Sequence, residues 1–186
     1  VGSVPKLPAW TAIKTTLRHV DEKGLVNIIA DLYQLSKENK IFLASRLGIG
    51  DLEAILDPYR RAIRRQFNPD RGFPKLDMAA ARKVLSDFRR VSFRVEAMAE
   101  LLVYYVEQGV VCTLNYGDIH EQFYRSLESA FLEAATLIRK SGDPGFVEGI
   151  RPRLKRIVSD TIDIGWGFHD YLQAVYWNEY PAEQEG

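Results

Sequence analysis

His19, His120, His169 and the single cysteine, Cys112, are the side chains of this 186-residue chain best suited to proton transfer, nucleophilic attack or metal binding. None of them lies within four residues of another. A di-metal site in a helical bundle wants glutamate three residues before histidine on two helices. Here the residues three before His19, His120 and His169 are Thr16, Gly117 and Trp166. Glu96, Glu100 and Glu107, followed by Asp118, Glu121, Glu128 and Glu133, therefore read as solvated helix faces. No glycine-rich phosphate loop, zinc spacing or EF-hand accompanies them, so neither metal nor cofactor is called for. Cys112 sits among Val110, Val111 and Leu114, the setting of a buried, unreactive thiol. His120 reads as a surface or boundary histidine just inside a helix start.

The most unusual local text is Asp163-Ile164-Gly165-Trp166-Gly167-Phe168-His169-Asp170-Tyr171. Two glycines around a tryptophan permit close backbone approach, and an aspartate beside a histidine can orient an imidazole. Asp163, Trp166, His169 and Asp170 form a candidate pocket on this reading. The plainer reading is a bend or close crossing. It has Trp166 or Phe168 packed on the long helix that begins at Asp118; an exposed Trp166 would make the segment a stronger candidate for a binding surface.

The second feature is charge. Between Asp51 and Val95 eleven Lys or Arg residues face six Asp or Glu, while the whole chain is neutral. Arginine forks match phosphate and carboxylate geometry. Arg60, Arg61, Arg64, Arg65, Arg82, Arg89 and Arg90 are the candidate anion-binding set. No aromatic residues interleave with them, so nucleic acid is not the favoured partner. A solvated face paired with acidic helices is the plainer account.

The elements that must position these residues are helical. Leu25, Ile28, Ile29, Leu32 and Tyr33 repeat at three and four after a capping Asp21. A short helix from Trp10 to His19 precedes them, and another from Lys37 to Leu47 stops at Gly48. Leu52, Ile55, Leu56, Tyr59, Ile63 and Phe67 form one stripe, with a restart or bend expected at Asp57-Pro58. Asn68 to Lys75 is a loop. Asp77 caps a run to about Val111 with a small bend near Ser92. Asn115 to Gly117 turns the chain, and Asp118 caps the helix reaching Lys140. Pro144 opens the next helix, and Phe168 to Trp177 the last. No stretch alternates as a strand would.

The expectation is an all-α antiparallel helical bundle with short stacked helical hairpins in its N-terminal half. It is one domain over 9–180, with irregular tails at 1–8 and 181–186. A division into 9–68 and 76–180 stays open. The composition, 46% hydrophobic and 27% charged, is that of a globular protein. No run approaches eighteen apolar residues, so no membrane span is expected. Val1 to Lys6 does not read as a signal peptide. One cysteine excludes an internal disulfide and fits a reducing, cytoplasmic compartment.

Two stretches resemble a family of uncharacterised bacterial all-helical proteins of about this length. One is Ile13-Lys14, Leu17, Val20-Asp21-Glu22-Lys23-Gly24-Leu25-Val26, Ile29 and Leu32-Tyr33, continued by Phe42-Leu43 and Arg46-Leu47. The other is Asp163 to Tyr171. The resemblance implies one compact domain and, since the family has no assigned activity, supplies no catalytic residue. The missing catalytic kit favours a non-catalytic helical protein-interaction module with a protein partner. Anion or nucleic-acid binding through 60–94, and a small-molecule site or enzyme near 163–171, are the alternatives.

Overall fold

The computed structural model describes residues 6–181; the outer parts of both expected tails, 1–5 and 182–186, lie outside them. The described residues form nine α-helices and no strand. They are α1 Trp10–Leu17, α2 Glu22–Leu35, α3 Lys37–Leu47, α4 Leu52–Phe67, α5 Met78–Val91, α6 Val95–Tyr116, α7 Glu121–Lys140, α8 Pro144–Ser159 and α9 Phe168–Glu179. The all-α bundle expected from periodicity is the observed architecture.

Short polar caps set the starts. Asp21, Ser36, Asp51, Asp77 and Asp143 each accept a backbone N–H from the first turn of the helix that follows, which satisfies donors with no partner inside the helix. Gly48 ends α3 at φ 66°, a left-handed position that glycine takes without a Cβ clash.

α6 is the axle of the fold. It packs on α4, α7 and α8, and α7 packs in turn on α9. Gly109 marks the closest approach of α6 to α7: a Cβ there would sit 2.4 Å from Leu127 Cδ2. An edge-to-face run of aromatics ties four helices together: Phe67 to Tyr105 at 5.1 Å, Phe67 to Phe123 at 5.6 Å, and Phe123 to Tyr124 at 5.3 Å. Tyr124 then meets Phe168 of α9 at 5.1 Å. Such pairs add about 0.5–1.5 kcal/mol beyond their burial. α6 is also long and apolar enough to cross a membrane by length and composition, although Glu96, Glu100 and Glu107 break its apolar run; 67% of that window is buried inside the fold.

Four sequence expectations are corrected. The helix after Asp77 does not bend at Ser92 but breaks there, and α6 runs on to Tyr116. The break is made by α3. Buried Ser45 accepts the Phe93 N–H at 3.0 Å and donates to Ser92 Oγ at 3.3 Å, while Phe42 meets the Phe93 ring edge-on. Second, α4 passes through Pro58 unbroken. Third, Asn115 and Tyr116 belong to α6, and Gly117 alone ends it at φ 83°. Fourth, α7 is capped by His120, whose Nδ1 accepts the Phe123 N–H at 3.2 Å. Asp118 instead accepts a hydrogen bond from the Tyr124 hydroxyl.

Candidate functional site

α2 carries apolar residues over about 220° of its circumference, from Leu35, Ile28, Leu32 and Leu25 round to Ile29, Tyr33, Val26 and Ala30, with Glu22 of the first turn the one charge inside that arc. An amphipathic surface helix needs a stripe nearer 100°. α2 nevertheless buries no residue, and neither does α1. Fourteen residues in α2 and eight in α1 are marginal lengths for a helix without tertiary packing. The first half of the chain thus carries apolar faces that the rest of the chain leaves open.

One flank of α2 forms a groove. Val26, Ile29 and Tyr33 face Leu43, Ala44 and Leu47 of α3, and Ile49 to Ile55 close the far end. The groove encloses about 650 Å³. Lys37, Lys40 and Asp51 edge it, and Lys40 Nζ sits 5.0 Å from the centre of the Tyr33 ring. Leu47 at its mouth is 66% exposed. Beyond α2, Trp10 is 64% exposed and Leu35 74%. Eleven large apolar residues between Leu7 and Ile49 on this arm are exposed outside the α3–Phe93 contact. At about 100 Å² for a fully exposed aliphatic side chain and about 200 Å² for Trp10 and Tyr33, their open fractions come to roughly 700 Å², spread over several faces of the arm. The largest apolar patch on an ordinary monomer is about 300–600 Å². The stripe residues were legible in the sequence. Their exposure was not, because periodicity is blind to what covers a face.

The seven candidate arginines do not share one site; only Arg82, Arg89 and Arg90 line a common cleft. Arg60 pairs with Glu53 and with Glu100 at 3.4 Å, Arg61 with Asp57, and Arg64 with Asp70. On α5, Arg82 donates to Ser126 at 3.1 Å and Arg89 pairs with Glu133. Arg65 and Arg90 carry no ion pair among the described residues. Arg90 shares a 520 Å³ cleft with Arg82, Lys83 and Arg89, but Asp87 and Glu133 stand in the same cleft. Four of the seven are paired with carboxylates, of which only Glu100 and Glu133 come from outside the basic segment; Arg65, Arg82 and Arg90 make no ion pair among the described residues.

Sequence reading missed Arg153. Its guanidinium grips Glu107 with two parallel hydrogen bonds of 2.8 and 2.7 Å and reaches Glu100 at 2.6 Å. Those bonds, above all the ones to Glu107, raise its affinity for the proton. Glu100 joins Arg153 of α8 to Arg60 of α4 across α6, so the network fastens three helices. Spacing gives no hint of it, since the partners lie 46 and 53 residues apart.

The C-terminal candidates also separate. His169 Nδ1 lies 3.1 Å from the Val158 carbonyl and 3.2 Å from Thr161 Oγ1, so the carbonyl requires a proton on Nδ1. Neither Asp163 nor Asp170 holds the ring. Asp163 lines a 380 Å³ hollow with Asp118 and Asp160, away from the other three. Phe168 is buried against Tyr124 of α7 as expected, but Trp166 is 57% exposed at φ 64°. Gly165 and Gly167 do not mark a close crossing: a Cβ at Gly165 would meet only Asp118 Oδ2 at 3.5 Å, and one at Gly167 nothing within 4 Å. Gly167 is needed for its φ of 69°.

Cys112 is fully buried, and burial pushes its thiol up to about 11. It stays protonated at neutral pH and is a poor nucleophile. No group of three or more His, Cys, Asp or Glu is placed to hold a metal among the described residues. No family model, curated protein or solved structure matches this chain.

Proposed function

We propose that this chain is a non-catalytic helical interaction module that binds a protein through the apolar arm of α1–α3. The observation that carries the reading is α2, a helix apolar over most of its circumference with no buried residue. Burying apolar surface gives about 25 cal/mol per Å², so a patch of this size holds ample driving force for docking even after the cost of association. The bundle α4–α9 serves as the platform, and α3, locked to the α5–α6 joint through Ser45, holds the arm on it.

The test compares the immobilised chain with its Ile29→Asp/Leu47→Asp variant in capture from the source cell, counting untagged copies of the chain itself among the possible partners. Both residues line the groove and neither is buried, so the variant should keep its helicity and melting temperature. A stoichiometric partner held by the parent and lost by the variant supports the reading. Equal retention by both, or none by either, sinks it.

A further inference from the structure

We infer that the occupant of the groove is a second copy of this chain, with α1 of each copy lying in the α2–α3–α4 groove of the other. This rests on the docking reading above and names the partner. Helices that dock in apolar grooves present anchors at i, i+3 and i+7. α1 presents Trp10, Ile13 and Leu17 at that spacing. Trp10 and Ile13 are exposed, α1 has no substantial packing on another described helix, and it does not line the groove of its own chain. One molecule therefore carries both an unoccupied apolar groove and an unpartnered helix with the matching anchor pattern.

Size and charge agree with a second copy. A stable interface takes about 800 Å² from each partner, polar rim included, and the arm exposes roughly 700 Å² of apolar surface. Exchange of α1 about a two-fold axis covers both features in both copies at once and closes the assembly at two. A neutral chain meets its own copy without long-range repulsion. α1 is about 12 Å long, short enough to lie along the groove.

Sedimentation velocity over a dilution series tests this on the full chain with two single variants, Ile13→Asp in the arm and Leu47→Asp in the groove. Both sites are exposed, so the fold stays intact, with circular dichroism as control. The parent is expected to sediment as a dimer, and each variant to associate at least tenfold more weakly. An equimolar mixture of the two variants should regain part of the association, because the hetero-pair keeps one intact arm and one intact groove. A dimer that persists in both variants overturns the proposal, and so does loss without recovery on mixing. A monomeric parent also overturns it. In that case an apolar dye separates the two readings. Binding by the parent that Leu47→Asp abolishes leaves the docking reading standing with another partner. Equal dye binding by both ends that reading too.

Discussion

Helices α2 and α7 carry the same kind of apolar periodicity and meet opposite fates. α7 buries nine residues, among them Phe123, Leu127, Phe131 and Ile138. α2 buries none. The contrast extends to whole regions: of the buried apolar residues among the described ones, only Ile41 comes before Ile55. A helical stripe states that a face must be covered, and the rest of the chain decides whether the cover is internal. For α7 it is α6 on one side and α9 on the other. For α2 it is α3 alone, which leaves most of a wide apolar arc open.

The sharpest way to break this comparison is to truncate one side chain in each region. Phe131 is fully buried on α7. Phe131→Ala should cost about 3–5 kcal/mol of unfolding free energy. Leu32→Ala on α2 should cost under about 0.5 kcal/mol in dilute solution, where no partner covers it. Denaturant melts of both decide the matter, and a loss of several kcal/mol at Leu32 would show that α2 belongs to the core. If a second copy fills the groove, truncation of Ile29, which lines it, becomes costlier as protein concentration rises, and the Phe131 effect does not.

Alkaline pH probes the same interior from its one thiol. Burial raises Cys112 from an ordinary 9 to about 11. The folded state therefore holds the proton more tightly than the unfolded chain. Its contribution is fully present below pH 9 and is lost as pH rises through 11. The loss is on the order of 2 kcal/mol. Burial also raises Tyr105, Tyr176 and Tyr180, with the same sign, so the difference between parent and Cys112→Ala isolates the thiol. Stability measured by denaturant from pH 8 upward should fall more steeply in the parent. Equal slopes would place Cys112 in contact with water.

Gly109 sharpens the comparison at the tightest helix contact. Alanine favours helix over glycine by about 1 kcal/mol, yet its Cβ at this site would press on Leu127 Cδ2, Cδ1 and Cγ at 2.4, 2.5 and 3.0 Å. The body of a buried side chain stands in the way, so overpacking wins and Gly109→Ala should lose about 2 kcal/mol. Gly149, where an added Cβ meets nothing within 4 Å, should gain from the same change. Equal gains at both would mean that α6 and α7 are looser than described.

Most of the fold was legible because local rules set it. Asp21 and Asp77 cap the helices that follow them as read, and the stripe of α4 faces the core as its spacing demands. What escaped was decided at long range. The break at Ser92 depends on Ser45, 47 residues away. The cap at His120 replaced Asp118 because the Tyr124 hydroxyl engages that aspartate. Pairing of the arginine segment with acidic helices was the plainer reading, but which carboxylates it meets, Glu100 and Glu133 above all, was set by the fold. The apolar arm could be read as helices but not as a site.

Trp166 tests whether the C-terminal turn belongs with the core or with the open surface. Read from the sequence, either Trp166 or Phe168 packs on α7, and loss of a buried Trp166 would cost about 3–5 kcal/mol. Instead it is more than half exposed, and its backbone is left-handed at φ 64°. Left-handed backbone costs an L-residue about 1–2 kcal/mol, and alanine would bear the same strain. Trp166→Ala should therefore change stability by less than about 0.5 kcal/mol. Trp166→Gly relieves the strain, partly offset by about 0.5–1 kcal/mol of extra backbone entropy lost on folding. It should raise stability by about 0.5 kcal/mol. Paired melts of the two variants decide between the readings. A loss of several kcal/mol in both would return Trp166 to the core. Neutrality in alanine with a gain in glycine marks a strained, exposed aromatic that the fold tolerates for no internal packing.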